Sequence, residues 1–455
     1  MTPLPLPESI AALVRTEMRR LEVPGVAVGV LHAGTVFAGG FGVTNVDHPP
    51  PVDGHTLFRI GSTSKTFTAT TLMTLVEAGE VRLDAPVRRY LPDFRLQSEP
   101  DAALLTVGHL VTHHGGFAGD YFRDCGPGDD ALTQIVAKMA NSPQLTPAGA
   151  TFSYSNAGFY VLGRIIEVVA RRTFEAVVRE RVIEPLEMGE TCYFTDEAMR
   201  HAVAMGHIRT AAGPVVADWR TIRAIAPASN VIASTLDQLR YAALHLGTVP
   251  LPSLQPRSIK AMQEALAPAG SMCDAMGVSW MLEDVGGARI VKHGGAIGGQ
   301  LSAFELVPAA GYACTVLTNC DSGRKLRQAV ADACRAHFLG GDPSEPPHSH
   351  VEGLDIGPYA GRYHATLASL RVRVDGRTVT VADETPERQL AAGAPRPLPE
   401  EPSRLVFTAR DRAVVVDGAH AGERCEFLRG SDARAADGPI AWMRWDGRIA
   451  RRVGD

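Results

Sequence analysis

The sequence has no apolar run that approaches the roughly 18 residues needed to span a bilayer. It also has no basic excess, because 45 Lys and Arg residues face 50 Asp and Glu residues and the net charge is −5. Neither a membrane nor a nucleic acid is therefore expected as a partner. The opening stretch MTPLPLPE lacks the basic and apolar regions of a secretion signal. For the chain as printed, we predict a cytoplasmic protein.

Clustered cysteines are missing as well. The seven cysteines are scattered and form no C-x-x-C pair. Because zinc sites and disulfide frameworks need clustered or paired ligands, the sequence predicts neither. Lysine is also scarce, since only five of the 45 basic residues are lysines. A lysine inside an apolar segment is therefore informative.

The composition that is present suits a large folded protein. The chain has 455 residues, of which 45% are hydrophobic and 21% are charged, as in ordinary soluble proteins. This length exceeds that of one typical domain, so we expect one large domain and one small one.

Apolar periodicity places strands at both ends of the first 340 residues and helices between them. Helices are predicted at 7–20, 62–78, 106–114, 130–140, 158–172, 174–184, 234–246 and 323–338. Strands are predicted at 23–34, 35–46, 277–283, 288–293, 301–307 and 312–318. A sheet assembled from both sequence ends and covered by helices is an α+β sandwich.

A stretch rich in Gly, Pro and Ser, GGDPSEPPHSHVEG, follows these elements and indicates a linker. The tail beyond it has short alternating runs with a turn signal every ten residues or so. Such a pattern predicts an all-β sandwich or barrel. The predicted organisation is a domain at 1–340, a linker at 341–353 and a small β domain at 354–455.

The segment FRIGSTSKTFTATTLMTLVEAG, at 58–79, carries the strongest chemical signal. Ser62 and Lys65 are three residues apart, so on a helix their side chains share one face. A serine hydroxyl is a weak nucleophile that needs an adjacent base, and burial lowers the pKa of a lysine so that it can serve as one. Ser62 also lies at the predicted helix start, where the helix dipole favours developing negative charge.

The alternative is a capping serine followed by a surface lysine. The same spacing recurs at Ser322 and Lys325, where the following helix is studded with charge. After Lys65, in contrast, no charged residue occurs until Glu77. Because a lysine at the head of a buried helix needs a reason, the sequence favours Ser62 as the functional serine.

Two further segments place polar groups beside apolar elements. Tyr154 and Asn156 precede an apolar helix; a tyrosine near a lysine can relay a proton, and an asparagine can accept a hydrogen bond from the lysine. His293, Gly294 and Gly295 lie at the end of a predicted strand, where glycine lets a substrate approach the backbone. Taken singly, the first segment also fits a capping asparagine beside a core tyrosine, and the second also fits an ordinary glycine-rich hairpin.

In their order along the chain, the three segments resemble the serine β-lactamase and penicillin-binding-protein superfamily, specifically its class C-like branch of esterases and D-amino-acid peptidases. Residues 62–65 resemble the S-x-x-K motif, residues 154–156 match Y-x-N, and residues 293–295 read H-G-G where many members have K-T-G. Supporting stretches are VPGVAVGV, LDAPVRRYLPDF and VLTN. The resemblance covers about 20–340 and implies the β-lactamase/transpeptidase-like fold, an antiparallel sheet with an inserted helical region.

The resemblance also implies a serine hydrolase that needs no metal and no organic cofactor. Ser62 would be the acylated nucleophile. Lys65 and Tyr154 would share the general base and acid roles, in a division that the resemblance leaves open. The backbone N–H groups of Ser62 and Ala296 would form the oxyanion hole, which typically lowers the barrier by a few kcal/mol.

The other implied residues bind the substrate. Asn156 would orient the lysine and contact the substrate amide. His293 would line the pocket and hydrogen-bond Tyr154 or a substrate carboxylate. Gly294 and Gly295 would let the substrate lie against the strand.

The chain departs from the family pattern at two motifs. His293 replaces the lysine of K-T-G, which helps to bind the carboxylate of penicillins, and a histidine is largely neutral at pH 7 by its reference pKa. Lys292 is adjacent, but neighbours on a strand point to opposite faces. Esters or uncharged amides are therefore expected rather than efficient β-lactam hydrolysis. The family's H-T-S-G begins with His113 and His114 here, for which a structural role is expected.

Three functions remain open from the sequence. The leading one is a serine hydrolase that forms an acyl-enzyme on Ser62 and releases it to water, acting on a small ester, amide or peptide. The second is acyl transfer to an amine, as in D-aminopeptidases or peptide-cyclising thioesterases. The third is a catalytically dead ligand-binding sensor, against which the intact Ser62, Lys65 and Tyr154 argue. The sequence does not indicate an oligomeric state.

The β-rich tail resembles the lipocalin-like barrel that follows the hydrolase domain in some members of this branch. The resemblance is one of architecture. We expect a loop of this tail to narrow the mouth of the active site.

Overall fold

A computed structural model describes residues 3–341, 351–385 and 397–454. Its first part is built on an eight-stranded antiparallel sheet to which both sequence ends contribute. The early strand Gly25–His32 pairs with the late strand Tyr312–Thr318, and the two are second and third in this sheet. In spatial order the strands are Thr35–Gly42, Gly25–His32, Tyr312–Thr318, Gln300–Val307, Ala288–Ile297, Met281–Val285, Ala275–Met276 and Ala267–Pro268.

Helices cover both faces of the sheet. Glu8–Leu21 and Arg324–Leu339 enclose a small core on one face, while the inserted region packs its larger core against the other. The helices of that region are Ser64–Glu77, Glu99–Leu104, Val107–Val111, Ala131–Lys138, Ala157–Ala170, Phe174–Val178, Thr195–Ala198, Ala226–Ser229, Thr235–His245 and Pro256–Met262. Two small antiparallel pairs, Phe58–Arg59 with Ile232–Ala233 and His207–Thr210 with Gly213–Val216, complete it.

The helix Ser64–Glu77 lies in the centre of the inserted region, and every residue from Ser64 to Leu75 is buried. Its many threonines are compatible with burial because their hydroxyls donate to carbonyls. Thr68 donates to Pro227 O at 2.7 Å, and Thr71 donates to Phe67 O at 2.9 Å. The helix is therefore stabilised by packing on all sides, as its charge-free sequence predicts.

The tail forms a closed antiparallel barrel of eight strands around its own apolar core, as expected of a lipocalin-like domain. The strands are Gly361–His364, Ser369–Asp375, Thr378–Asp383, Ser403–Ala409, Arg412–Val415, Arg424–Arg429, Ile440–Trp445 and Arg448–Val453. The α+β sandwich with an appended all-β domain is thus confirmed. Much of the predicted linker, 342–350, lies outside the described residues, and the division at 340 and 354 stays a prediction.

The bounds of several elements differ from the predicted ones; for example, the predicted strand 35–46 ends at Gly42 and the predicted helix 106–114 ends at Val111. The predicted helix 62–78 is divided into a 3-10 turn, Gly61–Thr63, and the α-helix from Ser64. The predicted strand 288–293 continues to Ile297, because the neighbouring strand Gln300–Val307 pairs with it as far as Ile297 and keeps the glycines extended. The predicted strand 277–283 begins only at Met281. Within the described part of the chain, no helix combines the length and apolarity required to cross a membrane.

Candidate active site

Ser62 lies in a turn that is pressed against the strand Ala288–Ile297. Gly61 has a φ of +54°, and a Cβ placed on it would lie 2.6 Å from the backbone nitrogen of Ala296. Both facts favour glycine at this position. The turn and the strand are therefore in direct backbone contact, which places the half-buried Ser62 beside Ala296.

Lys65 is buried one turn further along, with its amine directed back at the serine. Nζ lies 3.1 Å from Ser62 Oγ, 2.7 Å from Asn156 Oδ1 and 3.0 Å from Ala228 O. Burial, reinforced by the positive charge of Arg448, holds the pKa of Lys65 well below its usual value, although Asp120 acts in the opposite direction.

The partners of Lys65 restrict how its protons are arranged. The amide oxygen of Asn156 and the carbonyl of Ala228 can only accept, so each takes one N–H from the amine. The third position faces Ser62. A protonated amine would donate to the serine there, whereas a neutral amine would offer its lone pair to the serine hydroxyl. The lowered pKa favours the neutral form, which is the form that can remove a proton from Ser62.

Tyr154 is also buried and lies beside the same amine. Lys65 Nζ is 4.9 Å from the centre of its ring, and the ring of His113 stacks on it at 4.3 Å. Burial raises the pKa of Tyr154, against the opposing effects of its hydrogen bond with Ser62 and of the charge of Arg448. The phenol therefore keeps its proton at neutral pH and can donate it.

Asn156 connects Lys65 to a buried carboxylate. Its Nδ2 donates to Asp120 Oδ1 at 2.8 Å while its Oδ1 accepts from the lysine. Because a carboxylate can only accept, Asp120 fixes which end of the amide faces the lysine. Asn156 thus links Lys65 to Asp120, and its role in orienting the lysine stays a prediction.

His293, which is predicted to line the site, forms no hydrogen bond with Tyr154 in the structure. Its Nδ1 donates to the Gly294 carbonyl at 2.7 Å, so Nε2 carries no proton in the neutral ring. Nε2 is buried without a hydrogen-bond partner among the described residues, and the centres of the His293 and Tyr154 rings are 6.3 Å apart. Burial, with the nearby charge of Lys65, lowers the pKa of His293 to about 3. His293 is therefore an uncharged acceptor at the site.

The strand Ala288–Ile297, which carries His293, has one edge that is unpaired near Ser62 in the described chain. On one side, residues up to Ile297 pair with Gln300–Val307. On the other side, the pairing with Met281–Val285 ends at Lys292. Beyond that residue, no strand of the described chain pairs with this edge, which includes Gly294, Gly295 and Ala296. An extended substrate can lie against it.

Replacing Gly295 by alanine is expected to lower kcat/KM by about 100-fold, since a displacement near 1 Å at a catalytic group has an effect of this size. A Cβ there would collide with the Ile60 carbonyl oxygen and lie 2.7 Å from the Ser62 nitrogen, so the nucleophile turn must move. Gly189, whose Cβ would meet nothing within 4 Å, gives the control variant Gly189→Ala. Ester hydrolysis and the melting temperature of both variants check the prediction. Equal kinetics in both would contradict the tight contact.

The contacts of other candidate residues bear on the alternatives that the sequence leaves open. Lys292 forms an ion pair with Glu283, so it does not take the place of the K-T-G lysine. The Ser322 hydroxyl donates to Cys320 Sγ at 3.2 Å. No group of three or more His, Cys, Asp or Glu residues in the described ranges could hold a metal ion.

Three groups of the site were not identified from the sequence. Asp120 follows a glycine-rich segment that offered only a weak signal, and the Ala228 carbonyl belongs to the backbone. Arg448 comes from the barrel, and its Nε donates to Asp120 Oδ2 at 2.6 Å. His113 was expected to be structural, and its stacking against Tyr154 agrees with this.

Comparisons with known proteins agree with the fold and with the family that the sequence resembles. The family model described as Beta-lactamase matches residues 10–336. Penicillin-binding protein 4 of Amycolatopsis lactamdurans is 32% identical, over 75% of this chain and 93% of its own length. Unguisins hydrolase ungD' of Aspergillus campestris is 26% identical, over 96% of this chain and 90% of its own.

Among solved structures, that of SurE superposes with a TM-score of 0.76 at 24% identity. The superposition covers 98% of this chain and 99% of SurE, so the two share both the sandwich and the barrel. Since the family model spans most of the chain and the first relative exceeds 30% identity, this protein belongs to the β-lactamase family of serine hydrolases.

Proposed function

We propose that this protein hydrolyses small ester or amide substrates, including peptides, through an acyl-enzyme on Ser62. The observation that carries the proposal is the placement of the buried Lys65 amine 3.1 Å from Ser62 Oγ. A buried lysine held by two acceptors and aimed at a serine is the arrangement that activates a nucleophile.

In the acylation step, Ser62 Oγ attacks the substrate carbonyl carbon and its proton passes to Lys65. The carbonyl oxygen becomes an oxyanion, which the backbone N–H groups of Ser62 and Ala296 stabilise. The bond to the leaving group then breaks, and the leaving group takes a proton from Tyr154, which is re-protonated by Lys65. The opposite directions of the two pKa shifts support this division of roles, since the lysine favours accepting and the phenol favours donating.

In the deacylation step, water attacks the ester carbonyl of the acyl-enzyme. Its proton passes to the Lys65–Tyr154 pair, the bond to Ser62 Oγ breaks, and the serine recovers a proton. An amine that enters in place of water would give acyl transfer, which is the second candidate. A relative that covers 96% of the chain is named a hydrolase, and this supports water as the acceptor.

The electrostatics at His293 support an uncharged group at that end of the substrate. A neutral imidazole with a free Nε2 accepts a hydrogen bond and does not attract a carboxylate. Esters and amides with an N–H or O–H near the scissile bond are therefore favoured over penicillins. The third candidate, a dead sensor, gains no support from a complete Ser62, Lys65 and Tyr154 constellation.

A substrate panel tests the proposal. We expect p-nitrophenyl acetate to be hydrolysed, D- and L-alanine p-nitroanilides to be distinguished from each other, and nitrocefin to be cleaved at least tenfold less efficiently than the ester, as measured by kcat/KM. Adding glycinamide partitions the acyl group between water and an amine, and the product ratio separates hydrolysis from transfer. Failure of the folded protein to turn over every substrate would favour the sensor. Preferred nitrocefin cleavage would refute the assignment of His293.

A further inference from the structure

The barrel is attached to the segment that carries Tyr154. The hairpin formed by Ile440–Trp445 and Arg448–Val453 lies against residues 151–154, with hydrogen bonds in both directions. Tyr154 N donates to Gly447 O at 2.9 Å, and Ile449 N donates to Ser153 Oγ at 3.3 Å. The hairpin thus contacts the backbone of Tyr154 itself, while the narrowing of the site by a loop of the tail stays a prediction.

A second hairpin residue, Arg444, strengthens this attachment. Its guanidinium donates to Phe152 O at 2.9 Å and to Thr151 Oγ1 at 2.9 Å, and it forms an ion pair with Glu426 of the barrel. The side chain is 2% exposed. Because the Arg444 side chain fills the gap between the hairpin and residues 151–154, the hairpin has little freedom to shift relative to Tyr154.

The side chain of Arg448 extends from this hairpin into the site. Its Nε donates to Asp120 Oδ2 at 2.6 Å, and its Nη1 donates to the carbonyl of Asp446 at 3.0 Å. The guanidinium carbon lies 4.9 Å from the centre of the Tyr154 ring. Asp120 in turn accepts from Asn156, and Asn156 accepts from Lys65. A continuous chain of hydrogen bonds therefore joins the barrel to the lysine.

We propose that Arg448 is a positioning residue that the barrel supplies to the hydrolase site: by holding Asp120, it fixes the Asn156 amide so that Oδ1 faces Lys65. An asparagine amide can turn over and present its NH₂ group instead. Asp120 prevents this only while its carboxylate stays in place, and Arg448 holds that carboxylate. The inference rests on the proposed function, since it concerns the orientation of the proposed base.

Arg448 also contributes to the charge around Lys65. The charged groups on this side are Arg448, Asp120 and, behind the arginine, Asp446. The other titratable groups that face the amine stay uncharged near neutral pH: burial lowers the pKa of the two histidines and raises that of the tyrosine (His113, His293 and Tyr154). Arg448 lowers the pKa of Lys65 and Asp120 raises it, so removing each of them shifts the lysine in opposite directions.

The test compares Arg448→Gln, Arg448→Lys and Asp120→Asn in the full-length protein with p-nitrophenyl acetate, which carries no charge. We expect Arg448→Gln to lower kcat about tenfold or more, because the Lys65 amine is no longer held in its position beside Ser62. KM is expected to stay within about twofold of the wild-type value. The acid limb of the kcat/KM profile is expected to move to higher pH in Arg448→Gln and to lower pH in Asp120→Asn. Arg448→Lys keeps the positive charge, so we expect its acid limb at the wild-type pH and its kcat between those of the wild type and Arg448→Gln.

Arg451→Gln is the matched control. Arg451 is on the same strand, is exposed, and lies over Trp442 at 5.7 Å, away from Asp120. It is expected to leave kcat and the pH profile unchanged. Circular dichroism and melting curves establish that each variant is folded, and an Arg448→Gln chain that does not fold leaves the Arg448→Lys and Asp120→Asn profiles to decide.

Two results would overturn the inference. One is a wild-type kcat and pH profile for Arg448→Gln and Asp120→Asn. The other is a defect confined to the KM of carboxylate-bearing substrates, which would assign Arg448 to substrate binding. If the wild-type protein itself does not turn over the ester, the proposed function fails as well, and this outcome is distinct from an active wild type with an equally active Arg448→Gln.

Discussion

Ser62→Ala is expected to abolish covalent labelling by a fluorophosphonate, while the wild-type protein gains the mass of a single adduct. The reagent reports a serine whose hydroxyl is activated, and Lys65 Nζ at 3.1 Å supplies the base for Ser62 alone among the S-x-x-K pairs. Turnover of p-nitrophenyl acetate should fall on the order of 10⁴-fold or more, as for other nucleophiles that act as a unit with a base. Intact-protein mass spectrometry and initial rates measure both effects.

The sequence offers a matched control for this prediction. Ser322 has the same spacing to Lys325, but its hydroxyl contacts Cys320. Ser322→Ala should therefore label and turn over like the wild type. Adducts on both the wild type and Ser62→Ala would mean that another serine is the nucleophile. No adduct on either would favour the dead-enzyme hypothesis, which hydrolysis of the ester by the same sample would then refute.

Lys65→Met is expected to lower kcat/KM for the same ester by about 10²- to 10⁴-fold, the range that a general base contributes. Methionine keeps the length and apolar stem of the side chain but cannot accept the proton of Ser62. It also leaves Asn156 Oδ1 and the Ala228 carbonyl without the N–H donors that they have in the wild type. Steady-state kinetics and the rate of fluorophosphonate labelling measure the loss, with Lys325→Met as the control.

The pH dependence of kcat/KM provides a second test of Lys65 as the base. Wild-type kcat/KM should rise with pH through an acid limb as Lys65 loses its proton, at a pH well below 10.5, and Lys65→Met should lack that limb. The free energy of unfolding should change with pH in the same direction. Between the lowered pKa of folded Lys65 and its ordinary value, the unfolded chain binds the additional proton, so the free energy of unfolding rises with pH. An acid limb that persists in Lys65→Met would assign it to another group.

Local pattern predicted the elements of the fold well where burial and periodicity coincide. The helix after Lys65 was identified because its sequence carries no charge until Glu77, and the structure buries it on all sides. The strand that carries His293 was predicted four residues too short. Its glycines read as a strand end, whereas pairing with Gln300–Val307 keeps them extended to Ile297. Tertiary pairing overrides weak local propensity at such positions.

The prediction for His293 shows the same limit of local sequence pattern. Its neutrality followed from the reference pKa of histidine, and burial strengthens it. Its expected hydrogen bond to Tyr154 could not be tested by spacing, because the two residues come from different elements whose separation is set by packing. In the structure, Nδ1 donates a hydrogen bond to the Gly294 carbonyl, and Nε2 has its lone pair free for a ligand.

The proposed nucleophile and base can be predicted from the sequence alone, because Ser62 and Lys65 are three residues apart and one turn of helix brings them together. The groups around that pair depend on tertiary packing. Lys65 donates to the carbonyl of Ala228, and Asn156 donates to Asp120. Arg448, which is 328 residues away from Asp120, donates to that carboxylate. No local spacing encodes such contacts, since they depend on how the barrel hairpin is attached to the segment of Tyr154.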